Sequence, residues 1–326
     1  MAKALITTVP FGDMNRLPLE QLEASGIEYL INPLNKKLTE NELADMVSDF
    51  DVMIAGTEPI TDYVMSRAKK LKMISRVGIG LDSVDLQAAK RRGIKVSFTP
   101  DAPAPAVAEL TIGLLISLLR FVHLSNIQMH NGQWNRHFGR RISEVTIGII
   151  GLGRIGTRVL NRLMAFGTPR LLVNDLSPNP TLDRKFKLEW VDKDTIYKDS
   201  DVISLHVPLT HMTKNMVTKK QLKMMKSDAI IMNTSRGGII NENDLSDVMN
   251  SGHLSGASID VFEHEPYNGK LNEIDRCILT AHMGSMSIDC RTRMEIEATE
   301  EAVRFLNNEP LQSEVPEDEY SIQFND

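Results

Sequence analysis

Three glycines with the spacing G-x-G-x-x-G, Gly151, Gly153 and Gly156, follow the apolar run Thr146–Ile150. A helical pattern comes next, and the following apolar run ends at Asp175, about 20 residues beyond the last glycine. The first glycine allows a tight turn, the second lets a pyrophosphate approach the backbone, and the third lets helix and strand pack closely. We therefore predict a dinucleotide site in this strand, turn and helix.

The chemistry of the same segment favours NAD over NADP. Arg154 and Ile155 begin the predicted helix, whose free N–H groups and partial positive charge attract phosphate. Asp175 can accept hydrogen bonds from both ribose hydroxyls, and its charge would repel a 2′-phosphate. The next residues, 176–178, include no arginine that could bind such a phosphate. We expect the three glycines, Arg154, Ile155 and Asp175 to bind NAD.

Two series of strands and helices must position this site. In the first hundred residues, short apolar runs such as Val52–Ala55 alternate with helical segments such as Glu40–Asp49, for which Thr39 is the predicted N-cap. Thr146–Ile150 opens a second series of the same kind. This rhythm predicts two α/β domains, each a doubly wound parallel sheet.

A proline-rich segment marks the crossing between the domains. Three prolines lie within residues 100–105 and stiffen the backbone, and one long apolar helix is predicted after them over Val107–Asn131. We assign residues 104–287 to an NAD-binding domain. Residues 1–103 and 288–326 form the second domain, which the C-terminal helix completes.

Composition and charge limit the function classes. A net charge of −6 and a pI of about 5.8 argue against a general nucleic-acid binder. The longest apolar stretch, Val107–Val122, contains Glu109 and Arg120 and is shorter than the ~20 residues of a membrane span. Cys277 and Cys290 lack the spacing of a metal or redox motif. We expect free thiols, no metal, no membrane contact and a cytoplasmic location.

Several further motifs stand in a fixed order along the chain: RVGIGLDSVD at 76–85, VAE at 107–109, HVPLT at 206–210, NTSRGG at 233–238, DVFEHEP at 260–266 and TAHMG at 280–284. With the glycine turn, they resemble the D-isomer-specific 2-hydroxyacid dehydrogenases, the group that includes phosphoglycerate dehydrogenases. The resemblance implies a Rossmann cofactor domain, a flavodoxin-like substrate (catalytic) domain with NAD in the cleft, and a homodimer with Val107–Arg141 as its interface arm.

The resemblance also implies a catalytic set of Arg236, Glu265 and His282. Reduction of a 2-keto acid needs a cation that holds the carboxylate and polarises the carbonyl, which a forked guanidinium does well. It also needs a proton donor for the developing alkoxide, and a histidine can give and take a proton near neutral pH. A glutamate on the far ring nitrogen would orient the imidazole and stabilise its charged form. Hydride comes from the nicotinamide.

Other residues match family positions with binding roles. The loop of Val77, Gly78, Ile79 and Gly80 matches the one whose backbone N–H groups hold the substrate carboxylate, and glycine permits that close approach. Asp260 matches the position that contacts the nicotinamide carboxamide. His206 is expected to be structural or adjacent to the cofactor. The remaining expected cofactor contacts are Val207, Pro208, Thr234, Ser235 and Gly284.

The sequence leaves several substrates open. The loop at 55–60 lacks the arginine that phosphoglycerate dehydrogenases commonly carry there. However, Arg76 matches a second arginine that reaches the phosphate in that group, and Arg136 resembles one donated across the dimer, with Arg140 and Arg141 nearby. These residues favour 3-phosphoglycerate. Glycerate, glyoxylate, lactate or a dicarboxylate are the alternatives.

Two other functions share the same core residues. A formate- or phosphite-type oxidase of this fold is one, although the arginines suit a larger anion. A non-enzymatic, NAD-responsive corepressor is the other. The family often has a proline before the late histidine, where this chain has Ala281, so a slightly less rigid loop is expected. No regulatory domain is expected after residue 326.

Overall fold

The computed structural model describes residues 2–167 and 169–323. It divides into two compact units, one formed by Met1–Pro103 with Met286–Asp326 and the other by Ala104–Ser285. The chain therefore returns to the first unit between residues 285 and 286, two residues before the predicted domain boundary at 287–288.

The first unit is built on a five-stranded parallel sheet in the order β2-β1-β3-β4-β5. The order reverses between β1 and β3, as in the flavodoxin-like form of the doubly wound fold. Its elements are β1 (Lys3–Ile6), α1 (Leu17–Ala24), β2 (Glu28–Ile31), α2 (Glu40–Met46), β3 (Val52–Ala55), α3 (Asp62–Arg67), β4 (Met73–Arg76), α4 (Leu86–Arg91) and β5 (Lys95–Ser97).

Central strands of this sheet read as continuous apolar runs because helices cover both faces. All four residues of β3 are buried, and Leu5, Met53 and Ile74 belong to one core cluster. The predicted N-cap is confirmed: Thr39 and Glu42 form a capping box at the start of α2. Near the end of the chain, the long helix Ile288–Leu306 contacts β3 and β4 of the same unit.

The second unit contains a seven-stranded sheet in the order β12-β11-β10-β9-β6-β7-β8, with every pair parallel. The order reverses between β6 and β9. Its elements are α5 (Ala104–Leu119), α6 (Val122–His130), β6 (Thr146–Ile150), α7 (Arg154–Leu163), β7 (Arg170–Asn174), α8 (Pro180–Lys185), β8 (Glu189–Trp190), α9 (Lys193–Asp199), β9 (Val202–Leu205), α10 (Lys219–Met224), β10 (Ile230–Asn233), α11 (Glu242–Asn250), β11 (Gly256–Ile259) and β12 (Cys277–Leu279). The chain then returns to the first unit with α12 (Ile288–Leu306) and α13 (Glu317–Ile322).

The prediction of one long helix over Val107–Asn131 is wrong. Phe121 has a left-handed backbone with φ 53°, and the chain bends by 65° between α5 and α6. A left-handed residue cannot continue an α-helix, so α6 leaves the core and has no buried residue, whereas α5 is mostly buried. Within the described residues, no single helix is long and apolar enough to cross a bilayer; the bent pair meets that length only when its two helices are joined.

The two cysteines are free, as the sequence predicts. Burial raises the pKa of Cys277 to about 12 and that of Cys290 to about 11. Both thiols therefore stay protonated at neutral pH and are poor nucleophiles.

Candidate active site

The glycine turn lies where the order of the second sheet reverses. Gly151 has φ 96°, and a Cβ there would lie 2.4 Å from the carbonyl oxygen of His206, which follows β9. A Cβ on Gly156 would lie 2.0 Å from the carbonyl oxygen of Gly151. At Gly153, by contrast, a Cβ would meet no atom within 4 Å. Two of the glycines therefore allow close packing, and the third leaves open space before the N-terminus of α7.

Asp175 stands directly after β7 and is tied to the glycine turn. One carboxylate oxygen accepts a hydrogen bond from the Leu152 N–H at 2.7 Å, and the other accepts from the Ser177 N–H at 2.9 Å. These bonds fix the carboxylate beside the turn. The neighbouring Leu176 is exposed and offers no charge.

His206 is fixed against the same turn. Its Nε2 lies 2.8 Å from the Ser204 hydroxyl, and its Nδ1 is buried with no hydrogen-bond partner among the described residues. Burial lowers the pKa of His206 to about 4, so the imidazole is neutral at physiological pH. Val207 lies close to Gly151, and the carbonyl of Pro208 accepts a hydrogen bond from the Thr213 hydroxyl.

A turn stabilised by Asn233 presents Arg236. Asn233 Oδ1 accepts hydrogen bonds from the Ser235 N–H and hydroxyl, and its Nδ2 donates to the carbonyl of Arg236 at 2.8 Å. The hydroxyl of Thr234 lies 2.9 Å from that of Thr111 on α5. The turn after β10 is therefore fixed on both sides, which restricts where the partly buried Arg236 guanidinium can lie.

The loops after β10 and β11 touch at Gly237. A Cβ there would lie 2.0 Å from the carbonyl carbon of Phe262 and 2.5 Å from the nitrogen of Glu263. Only glycine allows this approach, which brings the arginine turn beside the segment that carries Glu265. Glu265 Oε1 in turn accepts a hydrogen bond from the Phe262 N–H at 3.1 Å.

Glu265 and His282 form a hydrogen-bonded pair. Nδ1 of the histidine lies 2.9 Å and 3.0 Å from the two carboxylate oxygens. Both side chains are partly exposed. A carboxylate on Nδ1 selects the tautomer with a proton on that nitrogen, so Nε2 is the ring nitrogen suited to exchange a proton with a ligand.

Asp260 organises the histidine loop. Its carboxylate accepts hydrogen bonds from the Thr280 hydroxyl at 2.6 Å and from the N–H groups of Met283 and Gly284, each at 2.9 Å. Its carbonyl accepts from the His282 N–H, and His282 has φ 48°. Burial raises the pKa of Asp260 above its ordinary value, and the three hydrogen bonds to the carboxylate offset only part of that rise. A buried carboxylate thus holds the left-handed backbone on which the histidine is mounted.

In the first unit, the predicted carboxylate loop follows β4. The Gly78 N–H donates to the Thr99 hydroxyl at 2.8 Å, and the Gly78 carbonyl accepts from the Thr99 N–H. This N–H is therefore directed at the protein. Arg76 is 4% exposed, and its Nη1 donates to the backbone carbonyl of Val77. The guanidinium is buried beneath the loop.

Arg136 lies in the exposed segment between α6 and β6, and Arg141 pairs with Glu144. Arg140 forms ion pairs with Asp201 and Asp228. Across residues 2–167 and 169–323, no group of three or more histidine, cysteine, aspartate or glutamate side chains could hold a metal ion.

A family model for the D-isomer specific 2-hydroxyacid dehydrogenase, NAD binding domain, matches residues 112–284. The chain belongs to this family. A hydroxypyruvate reductase of Thermotoga maritima is 37% identical over 279 residues, covering 83% of this chain and 90% of that protein. A D-3-phosphoglycerate dehydrogenase of Methanocaldococcus jannaschii is 36% identical over 278 residues, covering 83% of this chain and 53% of that one. A crystal structure of D-lactate dehydrogenase from Aquifex aeolicus, complexed with NAD and lactic acid, has a TM-score of 0.84 at 25% identity, covering 94% and 96% of the two chains.

This D-2-hydroxyacid dehydrogenase is therefore an NAD-dependent oxidoreductase that acts on a CH–OH group. The residues present fit the cofactor, because Gly153 is the N-cap of α7 and a Cβ there would lie in open space. Asp175 follows β7, which is the neighbour of β6 in the sheet. When bound, the nicotinamide accepts or donates the hydride.

The sequence analysis did not identify some of the residues that hold the catalytic loops of this dehydrogenase in place. Asn233 precedes the Ser-Arg pair, and an asparagine two residues before a turn N–H is a recognisable turn signal that could have identified it. Thr280 and Gly237 act through contacts between loops that follow different strands. No local pattern in the sequence marks such contacts.

Proposed function

We propose that the protein reduces a small 2-keto acid to the D-2-hydroxy acid with NADH, and catalyses the reverse oxidation. The observation that carries the proposal is the Glu265–His282 pair, mounted beside the Arg236 turn in the NAD-binding unit. This arrangement has the cation and the proton donor that carbonyl reduction requires.

In the proposed reaction, Arg236 holds the substrate carboxylate and polarises the carbonyl through its forked N–H donors. His282 donates a proton from Nε2 to the carbonyl oxygen as negative charge develops there, and takes it back in the oxidation. Glu265 keeps the imidazole oriented and stabilises its protonated form. Asp260 keeps the histidine loop in place and, as the family resemblance implies, contacts the nicotinamide carboxamide.

Backbone N–H groups of the loop at 77–80 are proposed to share the substrate carboxylate. Because the Gly78 N–H is engaged by Thr99, Ile79 and Gly80 are the donors we propose. The names of relatives offer two substrate classes, the unphosphorylated 2-keto acids and the phosphorylated ones.

The test is NADH oxidation by the purified protein against a panel of 2-keto acids, including glyoxylate, pyruvate, hydroxypyruvate and phosphohydroxypyruvate. We expect turnover on at least one of them, with a clear preference for NADH over NADPH. NADH binding without turnover on any acid would contradict the proposal and favour the NAD-responsive binding protein.

We propose a homodimer whose interface includes the segment from α6 to Arg141. The apolar side chains of Ile127, Met129, Trp134 and Phe138 are exposed there, with Phe138 fully so. The segment is anchored at its end, because the Arg140 N–H donates to the carbonyl of Leu119 on α5. An anchored arm with such apolar side chains is suited to cover a second copy of this chain.

Light scattering after size exclusion tests the dimer. The wild type should have twice the mass of one chain, and Trp134→Glu with Phe138→Glu should shift it to the monomer. A monomeric wild type would contradict the proposal. We also propose that the enzyme is cytoplasmic, which fractionation of cells expressing the native chain would test.

A further inference from the structure

Glu242 is a partly buried carboxylate in the second unit to which the proposed reaction assigns no role. It is the first residue of α11 and follows Asn241, whose side chain caps that helix by accepting from the Asp244 N–H. Glu242 Oε1 accepts a hydrogen bond from the Glu263 N–H at 2.7 Å. Glu263 lies two residues before Glu265, in the loop after β11. A side chain of α11 therefore holds the loop that carries the partner of the proposed proton donor.

The backbone that leads into Glu242 is itself held in place. Ile239 is buried, and its carbonyl accepts a hydrogen bond from the Val217 N–H at 3.1 Å. The Asn241 N–H in turn donates to the carbonyl of Val217 at 2.9 Å. Because these bonds fix the residues just before α11, the Glu242 carboxylate is a firm support for the loop after β11.

The same segment of chain touches that loop a second time, at Gly237. A Cβ on Gly237 would lie 2.0 Å from the carbonyl carbon of Phe262 and 2.5 Å from the nitrogen of Glu263. Arg236 directly precedes this glycine, and Glu242 follows it by five residues. The backbone nitrogen of Glu263 is thus packed on the arginine turn and bonded to the start of α11. Together, the two contacts fix the distance between the loop after β11 and the arginine turn.

Glu265 takes its position from the same stretch of backbone. Its Oε1 accepts from the Phe262 N–H at 3.1 Å, and its two carboxylate oxygens lie 3.0 Å and 2.9 Å from His282 Nδ1. A displacement of residues 262–263 would therefore move the carboxylate relative to the imidazole. Reaction rates are sensitive to such movements, because a misplacement of ~1 Å can cost about 10²-fold.

Glu242 lies near two other carboxylates. Burial raises its pKa, and the charges of Glu263 and Glu265 raise it too, whereas the bond from the Glu263 N–H and the nearby His264 lower it. A protonated carboxyl group can still accept this bond through its carbonyl oxygen. The contact with the loop therefore needs an oxygen acceptor at this place and does not need a negative charge.

We infer that Glu242 is a positioning residue of the dehydrogenase, which accepts the Glu263 N–H and so holds Glu265 against His282. The inference rests on the proposed function, because it assigns to Glu242 a part in the proton transfer proposed there. Its effect is on turnover. The binding of NADH and of the 2-keto acid does not depend on Glu242, because the glycine turn and the Arg236 turn keep their own contacts.

The test compares Glu242→Ala with Glu242→Gln in the reduction of the 2-keto acid that the wild type reduces fastest. Glu242→Ala removes the acceptor and should lower kcat about 10-fold, while KM for the keto acid and Kd for NADH stay within about 3-fold. Glu242→Gln keeps an oxygen acceptor and should bring kcat back to within about 3-fold of the wild-type value. An unchanged kcat in Glu242→Ala, or an equal loss of kcat in both variants, would overturn the inference.

Asp244→Ala is the matched control. Asp244 lies on the same helix, and its carboxylate accepts from the Lys219 N–H at 2.8 Å, so it ties α11 to the start of α10. This variant should lower the Tm about as much as Glu242→Ala does, but it should leave kcat within about 3-fold of the wild-type value. An equal fall of kcat in Asp244→Ala would mean that any loosening of α11 slows the reaction, and it would overturn the role of Glu242.

Amide hydrogen exchange of the wild type gives a second measurement that does not depend on the folding of a variant. Glu263 is exposed, but its N–H is bonded to Glu242, so this amide should exchange at least about 10-fold more slowly than in an unstructured chain. Exchange at the unstructured rate would overturn the inference and leave the dehydrogenase reaction intact. Absence of turnover by the wild type on every 2-keto acid would instead overturn the proposed function, and the role of Glu242 with it.

Discussion

The two sheets reverse their strand order in the same way but place opposite chemistry at the reversal. In the second unit, the loops after β6 and β9 meet at Gly151, leave open space at Gly153 and present the N-terminus of α7. In the first unit, the loops after β1 and β3 meet at Thr7 and Glu58 and bury a carboxylate. One reversal presents backbone N–H groups beside open space, and the other presents a carboxylate that is bonded to the protein. The same topology therefore provides a location for a ligand, while the loop residues determine which ligand is accepted.

The largest expected effect is a loss of turnover with little change in the binding of the cofactor to the second unit. His282→Ala should lower kcat by about 10²–10⁴-fold, because general acid–base help is lost. NADH affinity, measured by fluorescence titration, should stay within about 3-fold, because the glycine turn is untouched. His264→Ala, an exposed histidine nearby, is the control. An unchanged kcat in His282→Ala would remove this residue from the mechanism.

Two glycines of the cofactor turn should respond differently to alanine. Gly156→Ala places a Cβ 2.0 Å from a backbone oxygen and should cost about 1–3 kcal/mol of stability. Gly153→Ala meets no protein atom and should leave the Tm within about 1 °C, but it should weaken NADH binding about 10-fold because the pyrophosphate approaches there. Calorimetry and NADH titration measure both effects. Equal NADH affinity in Gly153→Ala and the wild type would place the pyrophosphate elsewhere.

His206 should make the stability of the native state depend on pH. Because burial lowers its pKa from 6.5 to about 4, the unfolded chain binds a proton below about pH 6.5, whereas the native state does so only near pH 4. The unfolded state then holds more protons, so native stability falls as the pH falls through this window, by roughly 2 kcal/mol between about pH 7 and about pH 5.

His206→Gln removes the titrating group and should reduce the loss of Tm between these two pH values by about 5 °C. The exposed His264→Gln is the control. An equal loss of Tm in His206→Gln and in the wild type would mean that His206 is not the buried neutral imidazole described above.

The smallest expected effect concerns the cofactor's ribose. Asp175→Asn keeps an acceptor for the Leu152 N–H but removes the charge that would repel a 2′-phosphate. The preference for NADH over NADPH in kcat/KM should narrow by about 10-fold. Glu189→Gln, which removes a surface carboxylate paired with Arg170, is the control. An unchanged ratio of kcat/KM with NADH to kcat/KM with NADPH in Asp175→Asn would mean that this carboxylate does not contact the ribose.

Features that depend on short stretches of sequence were predictable. The glycine turn, Asp175 and the Thr39 cap each follow from the conformational needs of a few adjacent residues. The break at Phe121 was not predictable, because apolar residues continue through it and only the left-handed backbone interrupts the helix.

Contacts between distant segments could be predicted from the sequence only in part. The family resemblance named Arg236, Glu265 and His282, but the sequence does not show that Asp260 holds the histidine loop. It shows that the loop after β3 lacks an arginine, but not that Glu58 is buried against Thr7, which is 51 residues away. Such contacts arise from strand order, which no local pattern specifies.

The most direct test of the central claim is to let the wild type reduce hydroxypyruvate with NADH and to determine the handedness of the glycerate by chiral chromatography. We predict stoichiometric oxidation of NADH, with D-glycerate as the product. L-glycerate as the product, or bound NADH that is not oxidised in the presence of any 2-keto acid, would contradict the proposed reaction.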